Sequence, residues 1–381
     1  MKRAISVILT LCAAALCLPS AAAAVSEPPA VSAQSMILIH AESGQVLFEK
    51  NADERLLIAS TTKIMTALVA LEHCDPAERV VIKPAYTGIE GSSVYLAAGE
   101  TYTLEELLYG LILASGNDAA VAVACHVAGS VEAFARLMNE KAAALGLQNT
   151  AFRNPHGLDA NEHFGSARDL AVIMACAMQN EAFAKITGAR SYTTHELTYV
   201  NHNKLLWNCD GCLGGKTGYT RAAGRSLVSC VERDGLRLIC VTLSDPDDWR
   251  DHGNVYDWAF ASYRAVRYAA GTALAELPVI SGVAESVPVV LAAELCAAVP
   301  AGQTATLKLR LPRFVFAEVG EGARAGTAVL CLDDAPLAEA TLVYGQYVHF
   351  SAAAQVKAWD RFQRMLELAD RYAPYSYYCA M

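Results

Sequence analysis

The sequence is short of charge and, beyond its first thirty residues, lacks a long apolar run. Charged residues make up 18% of the 381 residues, against roughly 25% in an average soluble chain. The formal net charge is −9, which excludes the basic footprint that a nucleic-acid-binding protein needs. No later apolar stretch approaches the roughly 20 residues that span a bilayer, so a polytopic membrane protein is excluded. The hydrophobic content of 54% is too high for a disordered chain.

The chain also lacks a complete set of metal-ligand motifs. Cys209 and Cys212 form a C-x-x-C, but no second C-x-x-C and no H-x-x-x-H accompany it, so the ligands of a zinc site are missing. The sequence therefore predicts no metal and no cofactor. Two interpretations of the pair stay open, a local disulfide and two free thiols. Four other cysteines lie in core-like segments and are predicted to act as small buried hydrophobes: Cys125, Cys176, Cys230 and Cys240.

Residues 1–24 have the layout of a secretory signal peptide. Lys2 and Arg3 precede an apolar stretch, and a small-residue segment follows with Ala22 and Ala24 in an A-x-A arrangement. This pattern predicts cleavage after Ala24 and a mature protein outside the cytoplasm. A retained membrane anchor is the alternative interpretation.

The rest of the chain divides into three predicted parts. Strand-like segments at 36–50 on one side and at 191–200, 225–231 and 236–243 on the other enclose a helical middle, and a last helix is expected over 252–268. This order indicates a mixed α/β catalytic domain over 25–270. Residues 278–350 alternate β-branched residues with Gly and Pro turns and predict a small all-β domain. Residues 351–381 contain an amphipathic helix that either packs on protein or lies on a membrane surface.

Three short motifs occur once each, in the order S-x-x-K, S-x-N and K-T-G. They are Ser60 to Lys63 at a predicted helix start, Ser115 to Asn117 between two helices, and Lys216 to Gly218 in a glycine-bounded segment that leads into a strand. S-x-x-K alone is a weak signal, because a chain of this composition produces one by chance. The three motifs in this order are a strong signal, because each falls at a predicted helix start, helix junction or strand where the chemistry needs it.

The trio contains the parts of an activated serine nucleophile. A serine hydroxyl needs an adjacent base, and Lys63 shares a helix face with Ser60. A lysine acts as a base only when burial and a neighbouring cation lower its pKa, and Lys216 is the candidate cation. Ser115 is predicted to relay a proton to the leaving amine. Asn117 is predicted to hold Lys63 and the peptide group of the substrate.

The remaining site residues are predicted to bind the substrate. The backbone N–H groups of Ser60 and Tyr219 are candidates for an oxyanion hole. Lys216 and Thr217, with Gly218 completing the motif, would bind a substrate carboxylate.

The three motifs together resemble those of penicillin-binding proteins and serine β-lactamases. The closer resemblance, over nearly the whole chain, is to the low-molecular-weight D-alanyl-D-alanine carboxypeptidases, the peptidase S11-like family. It implies a D,D-peptidase catalytic domain with an antiparallel sheet flanked by helices, a small β-rich domain and a terminal amphipathic helix. Arg250 resembles in position an arginine that assists carboxylate binding in that family. The supporting segments are RLLIASTTKIMTALVALE (55–72), LLYGLILASGNDAA (107–120), NPHGLD (154–159), SARDLA (166–171) and GGKTGYTRAAG (214–224).

The resemblance implies an activity and its partners. The enzyme would remove the terminal D-Ala from peptidoglycan pentapeptide stems through a Ser60 acyl-enzyme, β-lactams would acylate the same serine, and the terminal helix would contact a membrane surface. A dedicated class A β-lactamase fits less well, because Gly116 stands where S-D-N has Asp and Glu162 lacks an E-x-x-L-N context. Two alternatives remain: D,D-endopeptidase or transpeptidase activity, and a catalytically silent wall-binding protein.

Overall fold

The computed structural model describes residues 26–351, 363–365 and 367–368. The predicted signal peptide and most of the predicted terminal helix lie outside the described residues. The strands are β1 Ser35–His40, β2 Val46–Lys50, β3 Arg79–Val81, β4 Thr101–Thr103, β5 Ser191–Thr194, β6 Leu197–Val200, β7 Cys212–Thr220, β8 Gly224–Arg233, β9 Leu236–Leu243, β10 Tyr263–Tyr268, β11 Ala273–Ile280, β12 Ser286–Leu291, β13 Leu295–Pro300, β14 Thr306–Arg310, β15 Val315–Phe316, β16 Arg324–Leu332 and β17 Ala335–Tyr344. The α-helices are α1 Lys63–His73, α2 Leu104–Leu113, α3 Asn117–Ala128, α4 Val131–Ala144, α5 Ala167–Ala177, α6 Glu181–Gly188, α7 Leu205–Asn208 and α8 Asp248–Ser262.

A five-stranded antiparallel sheet forms the centre of the first domain, in the order β2-β1-β9-β8-β7. It joins the two ends of the domain, because β1 pairs with β9 with Ile37 opposite Val241. Side chains alternate between its faces: Ile37 belongs to the core with the helical bundle, whereas Met36 and Leu38 pack against α8. The predicted mixed α/β fold is confirmed.

Helix α1 lies at the centre of the helical layer and contacts α2, α3, α4 and α5. Its residues from Lys63 to Ala70 are all buried, because neighbouring elements cover it on every side. Helix α2 begins with a capping box, since the side chains and backbone N–H groups of Thr103 and Glu106 bond reciprocally. This packing brings the first residues of α1 and α3, Lys63 and Asn117, to one end of the bundle.

Two local predictions are wrong. The helix expected over 252–268 begins earlier, at Asp248, and ends at Ser262. The segment YRAVRY that follows is β10, which pairs antiparallel with the buried strand β13. Its apolar residues fit a helical period as well as an alternating one, and pairing with β13 decides between them. The segment over 191–200 is a hairpin of β5 and β6 and not a single strand.

The second domain has a six-stranded sheet, β14-β16-β17-β12-β11-β15, with its own apolar core around Leu277, Val289 and Leu330. Strand β13 also contributes Ala298 to the core beneath α8, so the two domains are packed together.

No single helix in the described part of the chain is long and apolar enough to cross a membrane. The pair α3 and α4, bent by 81°, passes that test on length and composition alone.

Candidate active site

Ser60 lies in a short 3₁₀ turn, Ala59–Thr62, that runs directly into α1. Ala59 has a φ of +46°, a left-handed conformation that costs energy in a residue with a side chain. The loop of the NPHGLD motif presses against this turn: a Cβ added to Gly157, whose φ is +89°, would lie 1.9 Å from the Ala59 carbonyl oxygen. Only glycine at this position allows the loop to approach the nucleophile so closely.

Lys63 is fully buried, and three oxygen atoms surround its amine. Its Nζ lies 2.9 Å from Ser60 Oγ, 2.7 Å from Asn117 Oδ1 and 2.6 Å from the backbone carbonyl oxygen of His156. The last two atoms only accept hydrogen bonds. A neutral amine has two N–H groups for these two acceptors and one lone pair left for the Ser60 hydroxyl. The arrangement therefore suits a neutral lysine that accepts a proton from Ser60.

The orientation of the Asn117 amide is fixed by its other end. Its Nδ2 donates to the Glu90 carbonyl oxygen at 2.6 Å, and its backbone N–H donates to the Ser92 carbonyl oxygen at 2.8 Å. Since Nδ2 faces an acceptor, Oδ1 must face Lys63. The loop that carries Glu90 and Ser92 thus determines which amide atom Lys63 meets.

The electrostatics of the site favour a neutral Lys63. Burial and, secondarily, the positive charge of Lys216 hold the Lys63 pKa well below its ordinary value, with partial opposition from the Asp118 carboxylate. Burial lowers the pKa of Lys216 to about 7. Desolvation thus disfavours the charged form of both lysines.

Strand β7 carries the K-T-G motif along the open edge of the sheet and contacts the nucleophile turn. A Cβ on Gly218 would lie 3.0 Å from the Ile58 carbonyl oxygen and 3.2 Å from the Ser60 nitrogen, so the small residue permits this approach. Lys216 is buried, and its Nζ donates to the Thr217 carbonyl oxygen at 2.8 Å. The motif therefore lies beside Ser60, with β7 available to a bound chain.

A cavity of about 620 Å³ opens above these groups. Five of the predicted site residues line it: Ser60, Ser115, Thr217, Gly218 and Tyr219. The other three that act together, Lys63, Asn117 and Lys216, are buried. Ser115 has a φ of +61°, a second strained residue of this site. The structure thus brings eight of the nine predicted residues into one region.

Arg250 does not line this cavity. It lines a neighbouring one, together with Cys209 and Trp249. Its guanidinium pairs with Asp247 at 2.9 Å and lies 3.9 Å from Asp251. In this conformation, the predicted carboxylate-binding role of Arg250 would require its side chain to leave the Asp247 pair.

A different arginine, Arg225, lines the main cavity. It lies on β8 opposite Tyr219, pairs with the buried carboxylate of Asp248 at 2.6 Å and lies over the Trp249 ring at 5.9 Å. Arg225 was not among the predicted site residues. The short turn between β7 and β8 sets the register that places it opposite Tyr219.

Two further contributions were missed. The first is His156, whose backbone carbonyl is a direct partner of Lys63. Its ring is no base near neutral pH, because burial, then Lys63 and His163, lower its pKa to about 4. The Asp118 carboxylate accepts bonds from the backbone N–H groups of Val94 and Leu96, so it shapes the loop beside the cavity. Asp118 directly follows the S-x-N motif, and an acidic residue at that place was the signal that could have identified it.

The nine cysteines within the described residues are free thiols, including Cys209 and Cys212. Cys230 and Cys240 are fully buried, as predicted, whereas Cys125 and Cys176 are only partly so.

The fold and the site are those of a serine hydrolase, with a buried lysine amine 2.9 Å from the hydroxyl oxygen of Ser60. Residues 21–247 match the family model of Peptidase S11, D-alanyl-D-alanine carboxypeptidase. The chain belongs to this family.

Individual relatives agree with this assignment. The D-alanyl-D-alanine carboxypeptidase DacF of Bacillus subtilis is 33% identical over 324 residues, covering 81% of this chain and 83% of that protein. Penicillin binding protein 5 of Haemophilus influenzae is a structural neighbour with a TM-score of 0.76 and 30% identity, covering 85% of this chain and 99% of that one. A mutant of a Streptomyces DD-transpeptidase has a TM-score of 0.59 and 31% identity, covering 61% of this chain and 99% of that one.

We predict that Gly157→Ala displaces the nucleophile turn. The added methyl group would collide with the Ala59 carbonyl, and a misplacement of about 1 Å can lower a rate about 100-fold. The rate constant for acylation of Ser60 by a labelled penicillin should fall by about that factor. Gly146→Ala is the matched control, because Gly146 has a φ of +73° but no atom within 4 Å of the added Cβ. Equal acylation rates in both variants would contradict the prediction.

Proposed function

We propose that this chain is a serine-type D-alanyl-D-alanine carboxypeptidase that removes the terminal D-Ala from peptidoglycan pentapeptide stems through a Ser60 acyl-enzyme. The observation that carries the proposal is the contact of 2.9 Å between Ser60 Oγ and the buried Lys63 amine. Membership in Peptidase S11 supports the reaction and the substrate class. The proposed catalytic domain spans 25–270, and the β-rich domain spans 278–350.

The acylation step uses the proton arrangement around Lys63. Ser60 Oγ attacks the carbonyl carbon of the penultimate D-Ala while its proton passes to Nζ of Lys63. The backbone N–H groups of Ser60 and Tyr219 stabilise the oxyanion of the tetrahedral intermediate. The C–N bond then breaks, and the proton that Lys63 took up reaches the leaving amine of D-Ala through Ser115.

Recognition of the leaving residue is assigned to the edge strand. The terminal carboxylate of the stem peptide would accept hydrogen bonds from Thr217, in the field of protonated Lys216. The peptide would lie along β7, which has no strand on its outer side among the described residues. Extended peptides commonly bind by adding a strand to such an edge. A net negative protein thus binds an anionic terminus through local positive charge.

The acceptor in the deacylation step decides between carboxypeptidase and transpeptidase activity. Water attacks the acyl carbon while Lys63 takes its proton. The ester C–O bond then breaks and Lys63 returns the proton to Ser60 Oγ, which completes hydrolysis. An amine acceptor in the same position would give transpeptidation instead. The structural similarity to a protein named DD-transpeptidase keeps this activity as the second candidate.

β-Lactams are proposed as covalent inhibitors that acylate the same serine, in line with the likeness to penicillin binding protein 5.

We also propose export by residues 1–24 and contact of residues 351–381 with the outer face of the cytoplasmic membrane. The amphipathic pattern of the terminal segment supports membrane contact. The alternative, packing on the β-rich domain, is supported by the pairing of Arg364 with Glu285.

We expect Ser60→Ala to abolish release of D-Ala from diacetyl-Lys-D-Ala-D-Ala, because no nucleophile remains. Lys63→Ala should slow acylation by about 100- to 10,000-fold, the usual contribution of a general base, while far-UV circular dichroism stays unchanged. Released D-Ala and the mass of the penicillin adduct are the measurements. Undiminished release by Ser60→Ala would reject the proposal, and a larger yield of amide product than of free acid with a glycine acceptor would favour the transpeptidase.

The pH dependence should show the titration of Lys216. Its pKa of about 7 means that its charge, present below that pH, is lost as the pH rises, so kcat/KM should fall through this range. A bound substrate carboxylate favours the protonated form of Lys216. The fall of kcat with rising pH should therefore occur at a higher pH than the fall of kcat/KM. Lys216→Arg keeps the charge and should remove the alkaline limb of kcat/KM. An unchanged limb in this variant would assign the titration to another group.

The terminal segment makes a separate prediction. The mature chain should float with anionic liposomes, and a variant ending at Ser351 should not, because the amphipathic helix would be missing. Equal flotation of the two proteins would reject membrane contact by this segment.

A further inference from the structure

Three side chains with metal-binding atoms converge far from the cavity. Cys74 directly follows α1, Glu78 directly precedes β3, and His126 lies in the last turn of α3. One ligand atom from each lies within 4.8 Å of the other two. His126 Nε2 is 2.9 Å from Glu78 Oε2. No motif in the sequence joins these residues, because they come from three different elements.

The backbone around the cluster is held in place. The Cys74 N–H donates to the Ala70 carbonyl oxygen at 3.0 Å, and the Leu104 N–H donates to the Glu78 carbonyl oxygen at 2.8 Å. Glu78 Oε1 accepts from the Asp75 N–H at 2.9 Å. That bond leaves the other carboxylate oxygen, Oε2, directed to His126. The backbones of Cys74 and Glu78 and the Glu78 carboxylate are thus held by contacts that do not involve a metal.

We propose that Cys74, Glu78 and His126 form a zinc site with a solvent water as fourth ligand. Zinc accepts thiolate, imidazole and carboxylate ligands together, and its tetrahedral bond lengths of about 2.0–2.3 Å place ligand atoms about 3.3–3.5 Å apart. Small side-chain rotations bring the present separations to these values. The sulfur ligand disfavours Mg²⁺ and Ca²⁺, which require oxygen. On binding, the Cys74 thiol releases its proton to solvent, and the thiolate and carboxylate together balance the two charges of Zn²⁺.

The surroundings allow an ion to enter. The Glu78 side chain is 43% exposed and that of His126 23% exposed, so the open coordination position faces water. Cys74 is partly buried, which places the sulfur on the inner side of the cluster.

The position of the site gives it a structural role. Helices α1 and α3 begin with Lys63 and Asn117, which bond to each other at 2.7 Å. Cys74 and His126 lie toward the opposite ends of the same two helices, about 16 Å from Lys63 and about 13 Å from Asn117 respectively, at 1.5 Å per residue. Zinc would therefore join these two helices at the ends remote from the catalytic residues. This inference does not depend on the proposed function.

The test is zinc binding by the full mature chain under reducing conditions, measured by competition with a chromophoric chelator. We expect one equivalent of tightly bound Zn²⁺, a rise in the unfolding temperature on zinc addition, and a thiolate charge-transfer band with Co²⁺. Cys74→Ser and His126→Gln should each weaken the affinity by about 100-fold or more. Glu78→Gln, which preserves side-chain size, should weaken it as well. Mg²⁺ should have no effect.

Cys125→Ser is the matched control, since Cys125 is a partly buried thiol on α3 next to His126 in sequence but outside the cluster, and it should bind zinc like the wild type. Circular dichroism of each variant without metal establishes that it is folded. The proposal is overturned if the wild type binds no zinc, if Cys74→Ser binds it with unchanged affinity, or if Cys209→Ser removes the binding. All of these measurements are independent of D-Ala release.

Discussion

The site depends on one constraint: an amine buried away from bulk solvent needs partners for its hydrogen atoms and for its lone pair. Asn117 Oδ1 and the His156 carbonyl oxygen take the two hydrogen atoms of a neutral Lys63. The lone pair of a neutral amine is then left to accept the proton of the Ser60 hydroxyl, whose oxygen lies 2.9 Å from Nζ. A charged ammonium in the same place would lose its hydration and lie in the field of Lys216. We propose that burial and hydrogen bonding together make a base of a side chain that is ordinarily protonated.

The fold supplies each of these partners from a different element. Lys63 and Asn117 begin two neighbouring helices, His156 belongs to a loop held against the nucleophile turn, and Lys216 lies on the edge strand of the sheet. The close approach of these elements requires Gly157 and Gly218, where a side chain would collide with the turn. Positive φ angles at Ala59 and Ser115 show that part of the folding free energy is used to hold the serines in place.

Much of this arrangement follows from the sequence, and the exceptions have physical reasons. Helical spacing predicted that Lys63 reaches Ser60, and the need for a second cation identified Lys216, because both arguments use local geometry and side-chain chemistry. The carbonyl of His156 could not be predicted, since any residue type has a carbonyl and only the tertiary structure shows where it points. Arg225 required the register between β7 and β8. For 263–268 the apolar pattern fits both a helix and a strand, and the partner strand β13 lies far away in sequence.

The central claim is that Lys63 is neutral in the resting enzyme, and the most direct measurement is its protonation state. Lysine labelled with ¹³C at Cε and ¹⁵N at Nζ, with the Lys63 signal assigned by its absence in Lys63→Ala, can be titrated by NMR. We expect the amine to lose its proton well below the ordinary lysine range, because burial and the charge of Lys216 both lower the Lys63 pKa. An ammonium signal at pH 7 that titrates near the ordinary lysine value of about 10.4 would contradict it.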